Sequence, residues 1–179
     1  IQVTYLINML FNSLAFLIFF PLVVAGHYLL PNRWRWLFLL VASCVFYAAF
    51  IPAYLLILFL TIVVDYVAAR QIEKLQGRKK KTWLIGSIIS NLLILAFFKY
   101  FNFLNGSASI VADWFGVTYP IPMLDIILPI GLSFHTFQSL SYVIEVYRGT
   151  YKAERHFGIY ALYVMFFPQL VAGPIERPQ

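Results

Sequence analysis

Eleven of the thirteen lysines and arginines in this chain fall into three short stretches, and long apolar runs fill the space between them. That alternation constrains the fold more than any single motif. A bilayer core of roughly 30 Å takes about 20 mostly apolar residues per helix. Six runs qualify: 9–30, 34–51, 53–69, 83–103, 126–147 and 157–175. The second and third are parted only by Pro52. Joined, they would make a helix of roughly 54 Å, too long for one crossing, so a turn is predicted near Pro52, with a shallow re-entrant pair as the alternative. With that turn, the connections after the first, third and fifth runs lie on one side. They carry Arg33 and Arg35, then Arg70, Lys74 and Arg78 to Lys81, then Arg148, Lys152 and Arg155; only Lys99 and Arg177 fall elsewhere. The positive-inside rule places those loops in the cytoplasm and the N-terminus outside. The expected fold class is an all-α, polytopic transmembrane helical bundle of about six spans.

Composition agrees. The chain is 62% hydrophobic and 11% charged, against about 45–50% and about 25% in soluble domains. The net charge of +6 would suit nucleic acid, but the basic residues sit between apolar runs and read as topology signals, so no nucleic-acid partner is expected. Basic residues 78–81 fit contact with anionic lipid, and a scaffold that docks soluble partners there is a rival reading. The single Cys44 excludes an internal disulfide and reads as a small buried hydrophobe, with a reactive or acylated thiol as the alternative. No repeat or His/Cys cluster with metal spacing is present. The first run lacks a basic n-region and reads as an anchor, not a cleaved signal. Met9 begins a natural-looking start, which makes residues 1–8 an expected upstream extension. In 105–125, Ile110, Val111, Trp114, Phe115 and Val117 recur at helical spacing before Pro120 and Pro122, predicting a short helix on the outer surface or else a packed loop.

Ionisable residues at membrane depth are costly, and each needs a partner. Asp65 is expected to form an interfacial cap or an ion pair with Arg70, about one turn on. Lys99 is expected to snorkel outward, and His27, near an interface, to be structural. In the fifth run, His135, Gln138, Ser141, Tyr142, Glu145 and Arg148 fall on one side of a helix, within roughly 140°. Such a stripe must face protein or a water-filled cavity. It is either helix–helix glue, with Glu145 paired to Arg148, or the lining of a substrate passage. In the sixth run, Pro168 and Pro174 break the backbone and Gly173 loosens it. Gln169, Glu176 and Arg177 are available to satisfy the freed groups. On physics alone, a broken helix at a polar site suits a transporter or a membrane-embedded enzyme.

Two segments narrow that choice. "LPIGLSFHTFQSLSYVIEVYRG" (128–149) and "FFPQLVAGPIER" (166–177) resemble motifs of the membrane-bound O-acyltransferase (MBOAT) family, in its bacterial alginate O-acetylating branch. The opening "MLFNSLAFLIFFPLVVAGHYLLP" and the later "ASCVFYAAF" are similar to that branch too. The D-alanyl transferase branch usually reads SGPIDR where this chain has Ala172 to Arg177, which favours the polysaccharide branch. The resemblance implies a bundle of some eleven helices around a funnel. It also implies a catalytic histidine downstream of Gln179, in a Trp- and Arg-rich stretch that these residues do not contain. None of His27, His135 or His156 matches it, so no catalytic residue is expected here. Residues 9–179 are expected to be the N-terminal part of one larger transmembrane domain.

The implied reaction is acyl transfer, acetyl in the first instance, from an acyl thioester donor to a sugar hydroxyl of an exported polysaccharide, with no bound cofactor. The implied setting is the bacterial inner membrane, alongside other polysaccharide-acetylation proteins. Supporting roles are expected for Gln138, Ser141 and Glu145 in the funnel lining and for Pro174, Glu176 and Arg177 in its wall. A transporter or exporter component and a D-alanyl-type acyltransferase are the alternatives.

Overall fold

The computed structural model describes residues 13–49, 52–116, 120–122 and 131–172. Seven helices and no strand occur among them: α1 (Leu14–Leu29), α2 (Asn32–Ala48), α3 (Pro52–Lys74), α4 (Gly77–Trp114), α5 (Leu132–Arg148), α6 (Phe157–Met165) and α7 (Phe167–Ala172). Two stretches, Tyr54–Lys74 and Gly77–Trp114, are long and apolar enough to cross a membrane; Leu14–Leu29 and Phe157–Gln169 are shorter apolar stretches, the second interrupted between α6 and α7. The expected parting of α2 from α3 is borne out. Ala49 caps α2, and Pro52 opens α3, where its missing N–H costs nothing.

Two boundaries differ from expectation. Residues 105–114 form no separate surface helix but continue α4, which ends where Phe115 and Gly116 turn, Gly116 at φ 67°. The end of α4 is tied down instead, because Asn105 Nδ2 donates to the Pro122 carbonyl at 3.1 Å. The middle basic stretch is also mostly helical: Arg70 and Lys74 lie in α3 and residues 78–81 in α4, joined by only Leu75 and Gln76.

Local chemistry sets the other ends. Ser13 Oγ accepts from the Phe16 N–H at 3.2 Å and starts α1. Glycines in the left-handed region bracket α5, Gly131 at φ 80° and Gly149 at φ 82°. After Gly149, the Thr150 N–H returns to the Glu145 carbonyl at 3.1 Å, a Schellman-type stop that a β-carbon would strain.

The main core lies where α3, α5 and α6 meet, with Ile62, Ile72, Val143, Val146, Tyr160 and Val164 all buried. Cys44 packs against it half-buried, as a small hydrophobe. A second cluster ties α1, α2 and α7 together through Phe16, Phe19, Phe46 and Phe167, with ring centroids 5.4 Å apart for Phe19–Phe167 and Phe46–Phe167. Gly158 lets α6 approach α2 so closely that a β-carbon there would run into the Trp36 ring. Outward, α4 presents Ile89, Leu93, Phe97, Phe103 and Leu104, all exposed. Such an outward face on a long apolar helix is consistent with an all-α membrane protein, since lipid does not penalise exposed apolar groups.

Candidate functional site

The sixth run is broken, as expected, but at Phe166, two residues before Pro168. Phe166 sits at φ −57°, ψ 113°, out of the helical region, and Pro168 falls in the first turn of α7. The reason lies in the ring. Proline has no N–H to give the Val164 carbonyl, and its ring obstructs that carbonyl, so the chain must leave the helix upstream. In an unbroken helix the Phe167 N–H would bond to the Tyr163 carbonyl. The break parts them, and at membrane depth both need new partners.

Side chains from two other helices supply them. The Phe167 N–H donates to Ser43 Oγ of α2 at 3.3 Å, while that hydroxyl donates to the Leu39 carbonyl at 2.8 Å. Gln138 of α5 gives its Nε2 to the Tyr163 carbonyl at 2.9 Å and to Gln169 Oε1 at 3.3 Å. Gln169, expected to serve the backbone directly, contributes through Gln138. Ser43 is not among the residues expected here; its place beside the aromatic cluster, far off in sequence, carries no signal.

The stripe on α5 divides in two. His135 and Gln138 are fully buried, Ser141 is half-buried, and Glu145 lies at the helix end with Arg148 at 3.4 Å. The expected Glu145–Arg148 pair is therefore present, and it is partly exposed. Tyr142 is buried, and its hydroxyl accepts from the Glu154 N–H at 2.7 Å. The opposite side of α5 is not uniformly outward: Val143 and Leu140 are buried too, and Phe137 is exposed. Thr136 and Ser139, also buried, complete the polar set; Thr136 Oγ1 donates to the Leu132 carbonyl at 2.9 Å and Ser139 Oγ lies 3.4 Å from the Tyr160 hydroxyl. The signal for them was available, since small polar residues at i, i+3 and i+4 mark helix–helix contacts in membranes.

Around the break, several polar atoms are buried without a hydrogen-bond partner among the described residues: both ring nitrogens of His135, Oε1 of Gln138 and Nε2 of Gln169. A largely apolar pocket of about 220 Å³ opens on the far side of the break, lined in part by Val23, His27, Leu39, Phe166 and Pro168. Lys99 is exposed on α4, 5.4 Å from the Tyr100 ring, free to reach outward. No group of three metal-ligating side chains occurs among the described residues. Pro174, Glu176, Arg177 and Gln179 lie outside the described residues.

One expectation is overturned. Asp65 forms neither a cap nor a pair with Arg70, which lies 4.0 Å from Glu73 instead. Asp65 is fully buried, accepting from Ser87 Oγ at 2.6 Å and Asn91 Nδ2 at 2.7 Å. The helix phase places it against α4, on a different face from Arg70.

Comparison with known proteins supplies what geometry alone does not. Over 94% of its length the chain is 39% identical to the "Probable alginate O-acetylase AlgI" of Pseudomonas aeruginosa and to that of Azotobacter vinelandii. It is 31% identical, over 93% of its length, to the "Peptidoglycan O-acetyltransferase" of Helicobacter pylori. The aligned part makes up 33%, 34% and 37% of those three proteins, so the chain spans about a third of the curated relatives it matches. No protein-family model and no solved structure matches it. The resemblance expected from the two motifs is borne out: this chain is a relative of the O-acetyltransferases, aligned to about one third of their length.

Proposed function

We propose that this chain is part of a membrane-embedded O-acyltransferase that moves an acetyl group from a thioester donor to hydroxyls of an exported polysaccharide. The observation that carries the reading is the match along 94% of the chain to alginate O-acetylases. In the reaction, the sugar oxygen attacks the thioester carbonyl, the thiol leaves, and the hydroxyl proton passes through a general base to the departing sulfur. That base belongs to a histidine outside these residues, downstream of Gln179. Gln138 and Ser141 face the approach to it, with Glu145 at its rim, and Pro174, Glu176 and Arg177 shape the wall. A water-poor passage limits loss of the donor to hydrolysis.

Six crossings of the bacterial inner membrane by the six apolar runs, with the N-terminus outside, belong to the same reading. So do the lipid bilayer, a polysaccharide acceptor and other acetylation proteins as partners, and no nucleic acid. Reporter fusions at residues 76 and 152 test the orientation, both being expected in the cytoplasm. The activity is tested by replacing the matching third of an alginate O-acetylase with this chain in a strain lacking that enzyme. Restored ester content in the secreted alginate is expected. A chimera that reaches the membrane in normal amount and transfers nothing overturns the reading.

A further inference from the structure

Asp65 stands apart from the site above, and its accounting does not close. Ser87 and Asn91 both donate to its Oδ1, at 2.6 and 2.7 Å. The other carboxylate oxygen, Oδ2, is buried without a partner among the described residues, and so is Oδ1 of Asn91. The two side chains are 0% and 1% exposed. Asn91 Nδ2 gives its remaining bond to the Ser87 carbonyl at 3.0 Å.

Among the described residues, no cation lies beside Asp65. On α3, Thr61 donates to the Leu58 carbonyl, Tyr66 donates to the Arg155 carbonyl and Arg70 lies by Glu73. Across α4 stand Ser87 and Asn91, across α5 the Ser139 hydroxyl, a third and weaker donor toward the Asp65 carboxylate, and across α6 the Tyr160 hydroxyl, 3.4 Å from Ser139 Oγ; all are neutral. Asp65 lies fully buried where its own α3 meets α4, α5 and α6. An isolated ionised carboxylate in an apolar interior is far costlier than one hydrogen bond repays, and at membrane depth such a group must find a partner.

We infer that Asp65 Oδ2 and Asn91 Oδ1 hold one small monovalent cation at the crossing of α3 and α4. A proton or a sodium ion supplies the same single charge. A proton on Oδ2 turns that oxygen into a donor toward Asn91 Oδ1 and completes a two-bond acid–amide pair. Sodium needs more oxygens, and the Ser139 and Tyr160 hydroxyls are the neighbours able to give them. Either occupant accounts for the inward turn of Ser87 and Asn91 on a helix that otherwise shows apolar groups to lipid. Nothing in this depends on the acyltransferase reading.

The test uses the protein that contains this chain, purified in detergent. Its thermal midpoint is followed in sodium chloride against choline chloride at equal ionic strength, and infrared difference spectra are taken between wild type and Asp65→Asn. With a proton bound, the difference shows the carbonyl band of a protonated carboxylic acid. Asp65→Asn, which can make the same pair with Asn91, then unfolds with the wild type. With sodium bound, the wild-type midpoint rises saturably with sodium and Asp65→Asn abolishes the rise. An ionised carboxylate signature together with a midpoint indifferent to sodium overturns the inference. Should Asp65→Asn fail to accumulate, Asn91→Leu gives the second difference spectrum, because loss of the amide shifts the same acid band.

Discussion

α4 and α5 are neighbours that solve opposite problems. α4 runs for 38 residues, and those of its side chains that are fully buried are Ser87, Asn91 and Asn105, every one polar. α5 runs for 17 residues and buries Leu132, Leu140, Val143 and Val146 alongside His135, Thr136, Gln138 and Ser139. In the lipid-facing helix, polarity marks the inside, because lipid takes up apolar groups at no cost and rejects polar ones. In the enclosed helix, polarity marks nothing, and fit and hydrogen bonding decide. The usual rule of apolar inside and polar outside describes neither.

Matched substitutions in the two helices break or sharpen this contrast. Leu132→Ala empties a fully buried position and is expected to lower stability by about 2–5 kcal/mol, read as thermal unfolding in detergent. Leu93→Arg, on the outward face of α4, is expected to raise the cost of membrane insertion by about 2.5–3.5 kcal/mol, read as the inserted fraction in a glycosylation-reporter assay. Gln138→Leu keeps the bulk but strips the Tyr163 carbonyl of its donor, with an expected loss of about 1–3 kcal/mol. In the proposed acyltransferase it should also lower acetyl transfer, and unchanged transfer would remove Gln138 from the proposed site. Leu93→Ala should move stability by under about 0.5 kcal/mol. If Leu93→Ala matched Leu132→Ala, the outward assignment of that face of α4 would be wrong.

Much of this was legible in advance, for one physical reason: runs of about 20 apolar residues punctuated by charge leave few arrangements. The parting at Pro52, the interior position of α5 and the break near Pro168 all follow from such local rules. What escaped was pairing across helices. The phase of Asp65 toward Ser87 and Asn91 depends on how α3 and α4 are rotated against one another, which no single run encodes. Ser43 is 124 positions from the amide it satisfies, and a lone serine in an apolar helix looks like many others. The long course of α4 past Asn105 was missed because polar residues 105–109 resemble a loop, although a helix reaching beyond the membrane surface can carry them.

The break at Phe166 also has a consequence in chain order. Ser43 and Gln138, which bond the Phe167 amide and the Tyr163 carbonyl, lie earlier in the chain than α6 and α7. A helix that leaves its own hydrogen-bond ladder at membrane depth needs other helices to complete it, so α6 and α7 are joined to α2 and α5 by polar bonds as well as by packing.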